Sequence, residues 1–418
     1  MFGRKKPEVL VVGAGPVGLF TALSLARRGI EVQIVDKEWR TAAHAYALAL
    51  HAGSLRLLKD LGLLETVLEQ AYPVGTIGLY DGAERRAELG PLDVVVMRQD
   101  LLESLLEDAL KDHGVKVLWN HRVAAMIPED DHVAVTVDKL AKGSTGYAIA
   151  HTEWIIAKTK TFEPPFVVGA DGHLSDVRQR LGIDYPSLGP PLHFAVFEFH
   201  TDADLHNEMA IVMDDQTTNV LWPLPDGRAR WSFQLLDFED HTAPRRKDRF
   251  EIQIGGGRFP VLDESQLHTF IEERAPWFTG VIGEIDWRLV VRFESRLASA
   301  FGQDRMWLAG DAGHMTGPVG IQSMNIGLRE AHDLAKTFAD ILQNDRSMEN
   351  LDVYNRQRLS EWRYLLGLKG GLVAGPETDP WIAQRAGRLL PCFPASGDDL
   401  AALAHQLGLE AETVTAGV

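Results

Sequence analysis

The chain has 418 residues, more than one hydrophobic core usually holds, so two domains is the starting expectation. Apolar residues make up 45% and charged residues 24%; the net charge of −17 excludes a nucleic-acid partner, which needs clustered cations, and argues against an anionic membrane surface. The one cysteine, Cys392, excludes an intramolecular disulfide, a CxxC pair and a cysteine-rich zinc site, and suits a reducing cytoplasm.

In chain order, a basic Gly3-Arg4-Lys5-Lys6 before the apolar residues 9–25 imitates a signal peptide. Glycines and Pro16 interrupt that run, Arg27 and Arg28 close it, and no small-residue cleavage pattern follows. No other stretch approaches ~18 uninterrupted apolar residues, so no transmembrane span is expected. Residues 9–12 read instead as a strand buried on both faces. The turn Gly13-Ala14-Gly15-Pro16-Val17-Gly18 follows, then a helix carrying Leu19, Leu23 and Ala26, and a second strand over 31–36. Residues 54–64 and 99–112 read as helices, 115–119 as a strand, and 133–137 as a strand paired through a loop at 142–146 with the segment near Trp154. Residues 166–168 form another apolar strand, ending in Gly169-Ala170-Asp171-Gly172.

After about residue 185 the pattern changes to aromatic-rich extended runs at 194–199, 219–224 and 228–235, the last two joined by Pro225-Asp226-Gly227. They predict an antiparallel sheet in which alternation turns roughly half of Phe194, Phe197, Phe199, Trp222, Trp231 and Phe233 to the core. Arg245, Arg246, Lys247 and Arg249 read as a solvated first turn rather than a phosphate site. A helix is expected at 267–275, a strand at 306–309 and helices at 323–342, 353–368 and 400–407.

Three segments carry chemistry. Gly13, Gly15 and Gly18 follow a strand and open a helix whose free N–H groups and dipole favour a pyrophosphate. Asp36 ends the next strand, where a carboxylate reaches a ribose hydroxyl pair; an acid there suits an adenosine without a 2′-phosphate. Asp171-Gly172 and Gly310-Asp311 each place a carboxylate beside glycines just after a buried strand. No HExxH or similar spacing predicts a metal site, and no GxSxG elbow predicts a serine hydrolase. His44, His51, His193 and His314 fall in or near these segments and read as packing or hydrogen-bonding residues, and no catalytic base is assigned.

In this order and spacing the segments resemble the class A flavoprotein monooxygenases, the para-hydroxybenzoate hydroxylase-like, FAD-dependent aromatic hydroxylases, over about residues 7 to 365. The resemblance implies FAD as cofactor, with Gly13, Gly15, Pro16 and Gly18 at its pyrophosphate, Asp36 at the adenosine ribose and Lys37 beside the adenine. It implies Arg98 and Gln99 near the ribityl and phosphate groups, Val123 backbone at the adenine, and Asp171 at flavin and NAD(P)H. Asp311 would bond a ribityl hydroxyl, Pro318 and Gly320 would flank the isoalloxazine, and the Met324 and Asn325 amides would reach its pyrimidine oxygen. Two departures stand out: His44 replaces a frequent arginine, and Ile321 and Ser323 stand where glycine is frequent.

The fold expected is α/β: a Rossmann-like FAD-binding domain with a mostly parallel sheet (1–75, 98–185, 284–370), a substrate domain with an antiparallel sheet (76–97, 186–283), and a short helical C-terminal tail (371–418). The activity implied by the resemblance is NADPH- or NADH-dependent transfer of one oxygen of O₂, through a flavin C4a-hydroperoxide, to a small aromatic or polycyclic phenolic substrate. Baeyer–Villiger or epoxidising chemistry on the same scaffold is the alternative, and a non-turnover FAD-binding accessory protein is a further one. A cytoplasmic monomer or homodimer is expected.

Overall fold

Four consecutive apolar residues, Val9–Val12, make a strand with no polar face, and the structure places it inside a sheet with a neighbour on each side. In the computed structural model, residues 6–39, 49–145, 151–236, 252–254, 257–259 and 262–412 are described. The sheet runs Val32–Val35, Val9–Val12, Phe166–Gly169, Met306–Leu308, Gly302–Gln303, parallel except for the last pair. Val12 pairs with Gly169 and Gly169 with Leu308, so three chain segments far apart in sequence leave the sheet at one edge.

The described helices are α1 (Pro16–Arg27), α2 (Ala52–Asp60), α3 (Leu64–Gln70), α4 (Gln99–Asp112), α5 (Asp176–Arg180), α6 (Glu264–Arg274), α7 (Gln322–Asn344), α8 (Glu349–Leu365), α9 (Pro380–Leu389) and α10 (Asp398–Gln406). Helix α1 starts with Pro16 in its first turn, where a missing N–H costs nothing, and ends on Arg27 before Gly29 at φ +76°. Its Leu19, Phe20, Leu23 and Leu25 are buried together with Val9 and Val11 and with Leu328, Leu334 and Phe338 of α7. Each such side chain contributes roughly 1.5–3 kcal/mol by burial. Leu10 and Val12, pointing the other way, pack with Val123, Val133, Val135 and Val137 of a three-stranded antiparallel sheet (His121–Pro128, Val133–Thr145, His151–Phe162).

The aromatic runs form a seven-stranded sheet in the order Ile282–Phe293, Leu192–Thr201, Arg228–Leu235, Thr218–Leu224, Glu208–Met213, Thr76–Asp81, Glu84–Leu89. Its pairs are antiparallel except Glu208–Met213 against Thr76–Asp81. The alternation expected of its aromatics holds. Phe197, Phe199, Trp231 and Phe233 lie in a core with Leu267 and Ile271 of α6, while Phe194 and Trp222 lie on the opposite face, in the cluster shared with α1 and α7.

Several elements differ from the sequence reading. Residues 115–119 make a single parallel bridge, Val35 to Leu118, rather than a strand, because Gly114 and the turn at Asn120 leave too little chain to form a ladder. The helix expected at 54–64 ends at Asp60, and Gly62 at φ +68° starts a second one, α3. The hairpin strands run to Thr145 and resume at His151, beyond the loop expected at 142–146. Helix α9, with Asp379 as its N-cap and Pro380 in its first turn, went unread. The tail is closed by a two-stranded ladder of Leu372–Ala374 with Leu409–Ala411. The basic run at 245–249 lies outside the described residues.

Candidate functional site

The shared edge of the parallel sheet brings together the Gly13–Gly18, Asp171–Gly172 and Gly310–Asp311 turns, the place where open α/β sheets bind ligands. Gly13 has φ +103°, and a Cβ there would lie 2.2 Å from the Ala170 carbonyl oxygen. A Cβ on Gly18 would lie 2.0 Å from the Gly13 carbonyl oxygen. Both glycines are demanded by neighbouring backbone. Gly15 differs: nothing lies within 4 Å of its would-be Cβ, and as N-cap of α1 it supplies no side-chain acceptor. The first-turn N–H groups of α1 are therefore left to an outside acceptor, as a pyrophosphate would be. Asp36 is half-buried and accepts from the Ala14 N–H (Oδ2, 2.6 Å) and the Glu38 N–H (Oδ1, 2.8 Å), so it braces the turn from which it would hold a ribose.

Asp171 spends one oxygen on the α5 N-terminus, Oδ2 accepting from the Asp176 and Val177 N–H groups at 2.7 and 3.2 Å. Its other oxygen is buried without a partner among the described residues, and burial pushes its pKa up. Arg178, buried in the same helix, donates to the carbonyls of Ala312 (2.8 Å) and His173 (2.8 Å) and lies 3.8 Å over the Tyr185 ring, whose hydroxyl donates to the Asp311 carbonyl (3.0 Å). The second and third turns are thus locked together. The Asp311 side chain is open to solvent yet crowded by protein, which raises its pKa by desolvation; that combination describes the floor of a cleft.

The Pro318–Asn325 segment ends in α7, whose N-cap, Ile321, is left-handed (φ +49°, ψ +43°) and makes no side-chain cap. Such a backbone costs a β-branched residue ~1–2 kcal/mol. Its side chain is 9% exposed, and burial of roughly 1.5–3 kcal/mol offsets that strain. Pro318 is half-buried, and Met324 lies in the first turn of α7, where N–H groups lack helical partners. Asn325 acts through its side chain: Oδ1 accepts from the His51 N–H (2.9 Å) and the Ser54 hydroxyl (2.7 Å), and Nδ2 donates to the carbonyls of Ala49 (2.9 Å) and Ile321 (2.8 Å). His51 Nε2–H donates to the Gly320 carbonyl (2.9 Å); burial drives its pKa down to about 3, so the ring is neutral. Gly320 has no room for a Cβ, which would meet the Pro391 and Phe393 carbonyl oxygens at 2.6 Å each.

Arg98, exposed at the N-cap of α4, pairs with Asp100 (Nε–Oδ1 3.0 Å, Nη2–Oδ2 2.7 Å), and Gln99 donates to Glu103 Oε1 (2.8 Å). Glu103, unnoticed in the sequence, is a buried carboxyl whose pKa burial raises to about 7, with Asp100 and Asp36 adding to the rise. Val123 is buried at a bulge in its strand, and Arg180 donates to its carbonyl (3.4 Å) and to that of Ala124 (2.9 Å). Lys37 is exposed; His193 is buried in the seven-stranded sheet; His44 lies outside the described residues. Among the described residues no cluster of side chains suits a metal ion, and no helix is long and apolar enough to cross a membrane.

The donors left open at the first turns of α1 and α7, the unpartnered Asp171 oxygen and the solvent-facing Asp311 suit a long, phosphate-bearing, hydroxyl-rich ligand such as FAD. The family model described as FAD binding domain matches residues 6–365. The chain belongs to this family. An FAD-binding chain of this family has named relatives: 6-methylpretetramide 4-monooxygenase of Streptomyces rimosus is 27% identical over 367 residues, covering 84% of this chain and 59% of the relative. Rifampicin monooxygenase of Streptomyces venezuelae is 27% identical over 359 residues, covering 84% of this chain and 68% of the relative. The first two curated relatives are matched over only 59% and 60% of their own length. In fold, p-nitrophenol 4-monooxygenase of Pseudomonas putida superposes with a TM-score of 0.69 at 22% identity, covering 96% of both chains. Aklavinone-11 hydroxylase in complex with FAD and aklavinone gives 0.65 at 20% identity, covering 96% of this chain and 73% of the other. The resemblance to class A flavoprotein monooxygenases, drawn from three short motifs, is borne out.

What sequence reading missed in this FAD-binding chain is the support behind the motifs. Gln322 Nε2 donates to the Leu390 (3.1 Å) and Phe393 (3.3 Å) carbonyls, and Gly320 N–H to that of Pro391 (3.2 Å). Arg388 of α9 reaches the Asp214 (2.8 Å) and Thr217 carbonyls of a turn in the seven-stranded sheet and the Thr218 hydroxyl (2.9 Å) of the strand that follows it. The tail therefore holds the α7 loop on one side and the aromatic sheet on the other. The only sequence signal was the N-cap pair Asp379-Pro380.

Proposed function

We propose that the protein is an FAD-dependent monooxygenase that uses NADPH or NADH and O₂ to hydroxylate an aromatic or polycyclic phenolic substrate. The observation that carries this is the convergence, at one sheet edge, of the Gly13, Asp171 and Asp311 turns with the uncapped start of α7. The names of the relatives support the same reading.

In this reading Gly15, Pro16 and the α1 N-terminus hold the pyrophosphate, Asp36 the adenosine ribose and Asp311 the ribityl chain. Pro318, Gly320 and Met324 border the ring, with Arg98, Gln99, Lys37, His44 and Val123 around the nucleotide and Asp171 where cofactor and reductant meet. The chemistry FAD supplies when bound is acceptance of a hydride from a reduced nicotinamide and activation of O₂. The chain's own share is orientation and exclusion of water. The neutral His51 and the Asn325 side chain fix the loop that would border the ring. We place the nucleotide site on 1–75, 98–185 and 294–370 and the substrate site on 76–97 and 186–293, moving the expected boundary at 284 past the strand Ile282–Phe293 because it pairs within the seven-stranded sheet, in a cytoplasmic enzyme.

The test is direct. Purified protein should carry a flavin absorbance spectrum, and a panel of phenols should include one that accelerates NAD(P)H oxidation and gains one ¹⁸O from ¹⁸O₂. Protein without flavin and unable to take it up refutes the reading. Ring expansion or epoxide in the product points to the other oxygen-transfer chemistries on this scaffold. Bound flavin that no ligand renders reducible by NAD(P)H points to an accessory protein.

A further inference from the structure

We infer that Glu330 is a positioning residue for the cofactor: its buried carboxylate gathers the Gly310 N–H, His314 and Trp362, and so sets the Gly310–Ala312 turn that aims Asp311 into the cleft. The inference rests on the proposed contact between Asp311 and the FAD ribityl chain.

Glu330 and His314 are both 0% exposed. Glu330 Oε2 accepts from the Gly310 N–H at 2.9 Å and lies 2.9 Å from His314 Nε2; Oε1 accepts from the Trp362 indole N–H at 2.7 Å. The His314 ring stacks on Trp362 with centroids 3.7 Å apart. Three donors converge on two oxygens, and only an acceptor-only group satisfies them all, which makes His314 Nε2 the protonated nitrogen. A glutamine would turn an amide N–H₂ against either the indole or the Gly310 amide. Burial works against the charge, but His314, the Trp362 bond and the nearby Arg358 outweigh it and hold the Glu330 pKa low.

The turn has no other freedom. Its carbonyls are taken by Tyr185 (Asp311) and Arg178 (Ala312), and Gly313 N–H closes back on the Gly310 carbonyl at 2.8 Å. Gly327, one helical turn before Glu330, lets α7 approach: a Cβ there would lie 3.1 Å from Gly310 Cα and 2.7 Å from Val17 Cγ2. By contrast, the Asp311 carboxylate makes no hydrogen bond to any described residue; it is the polar group the turn leaves free. A carboxylate that merely filled the core would not have its partners chosen from both ends of this one turn. Glu330 lies between the motif residues Met324–Gly327 and Asp333–Ala335 and was given no role in the sequence reading, and α8 supplies its third donor.

The experiment is a double-mutant cycle on FAD affinity, read by quenching of flavin fluorescence on titration of the apoprotein. Glu330→Gln and Asp311→Asn should each weaken FAD binding on the order of tenfold, the scale of one buried polar group left unsatisfied. Combined, they should be no weaker than the worse single variant by more than about twofold, because Glu330 acts through Asp311. Unchanged affinity in Glu330→Gln, or effects that multiply, overturn the inference and leave Glu330 a core residue. If Glu330→Gln does not fold, Trp362→Phe removes one donor while keeping the ring, and the same cycle applies with a smaller, about threefold, step. Wild-type protein that takes up no FAD removes the functional reading itself, and this inference with it, before any variant is compared.

Discussion

The two turns that would hold opposite ends of the cofactor are built on different principles. The Gly13–Gly18 turn is made mainly by close backbone: Gly18 leaves room for the Gly13 carbonyl within the turn, Gly13 for Ala170 of the adjoining strand's turn, and Asp36 of the next strand braces Ala14. The Gly310–Asn325 segment is held from outside, by Glu330, Arg178 and Tyr185 at one end and by His51, Ser54 and the 390–393 backbone at the other. A phosphate site needs only a helix start and close backbone, which a short peptide supplies. A surface that borders a reacting ring needs placement relative to a second sheet, and only contacts between distant segments provide that.

That contrast can be broken most sharply at Gly18. Gly18→Ala pushes a methyl against backbone that cannot yield, and should cost about 3 kcal/mol or more in chemical denaturation. Gly15→Ala, with open space around it, should leave apoprotein stability within ~0.5 kcal/mol while weakening FAD binding; equal losses of stability at both sites would erase the distinction. Next comes Ile321→Gly. Relief of left-handed strain gains ~1–2 kcal/mol, but emptying a buried isoleucine site loses ~2–5, so a net loss of up to about 4 kcal/mol is expected. A stabilised variant would show that strain, not packing, governs this loop.

Gln322→Leu removes both bonds to the tail carbonyls and should cost about 1–2 kcal/mol. Hydrogen exchange should then report faster opening at the Leu390, Cys392 and Phe393 amides, with the Gly13 turn unchanged. The last effect is spread over a window of pH. Glu103 has a folded pKa of about 7 against 4.5 in the unfolded chain, so between those values the folded protein binds more protons. Its contribution is full below pH 4.5 and is lost as pH rises through 7, at most about 1.4 kcal/mol per pH unit. Melting curves of wild type and Glu103→Gln should diverge over that window; parallel curves would refute it.

How much could be read in advance follows the same division. The glycine turn with Asp36, the Asp-Gly and Gly-Asp turns, and the alternation that sends Phe197, Phe199, Trp231 and Phe233 under α6 and Phe194 and Trp222 the other way were all legible. Each depends on steric or periodic rules acting over a few residues. Glu330 and Glu103 carried no such mark, and Asn325 was legible only for its backbone N–H and not for its side-chain bonds, because an acid or amide on a helix looks alike whether it faces water or a ring of donors. The bridge at Leu118 and helix α9 were misread or missed for a related reason: one lost its ladder to adjoining turns, and the other takes its stability from the loop and sheet it wedges between.

By itself the sequence determined where backbone must come close to backbone, where strands end in a carboxylate, and which side chains of each strand share a face. Those are local consequences of missing Cβ atoms, chain direction and side-chain period. Tertiary structure alone decided that Glu330 is buried among donors that hold its pKa low; that Asp311 is the polar group its turn leaves free; and that a tail more than fifty residues beyond α7's start supplies the carbonyls that seat Gly320 and Gln322. A buried charge or a fixed loop is a property of what surrounds it, and here the surroundings come from segments that meet only when the chain has folded.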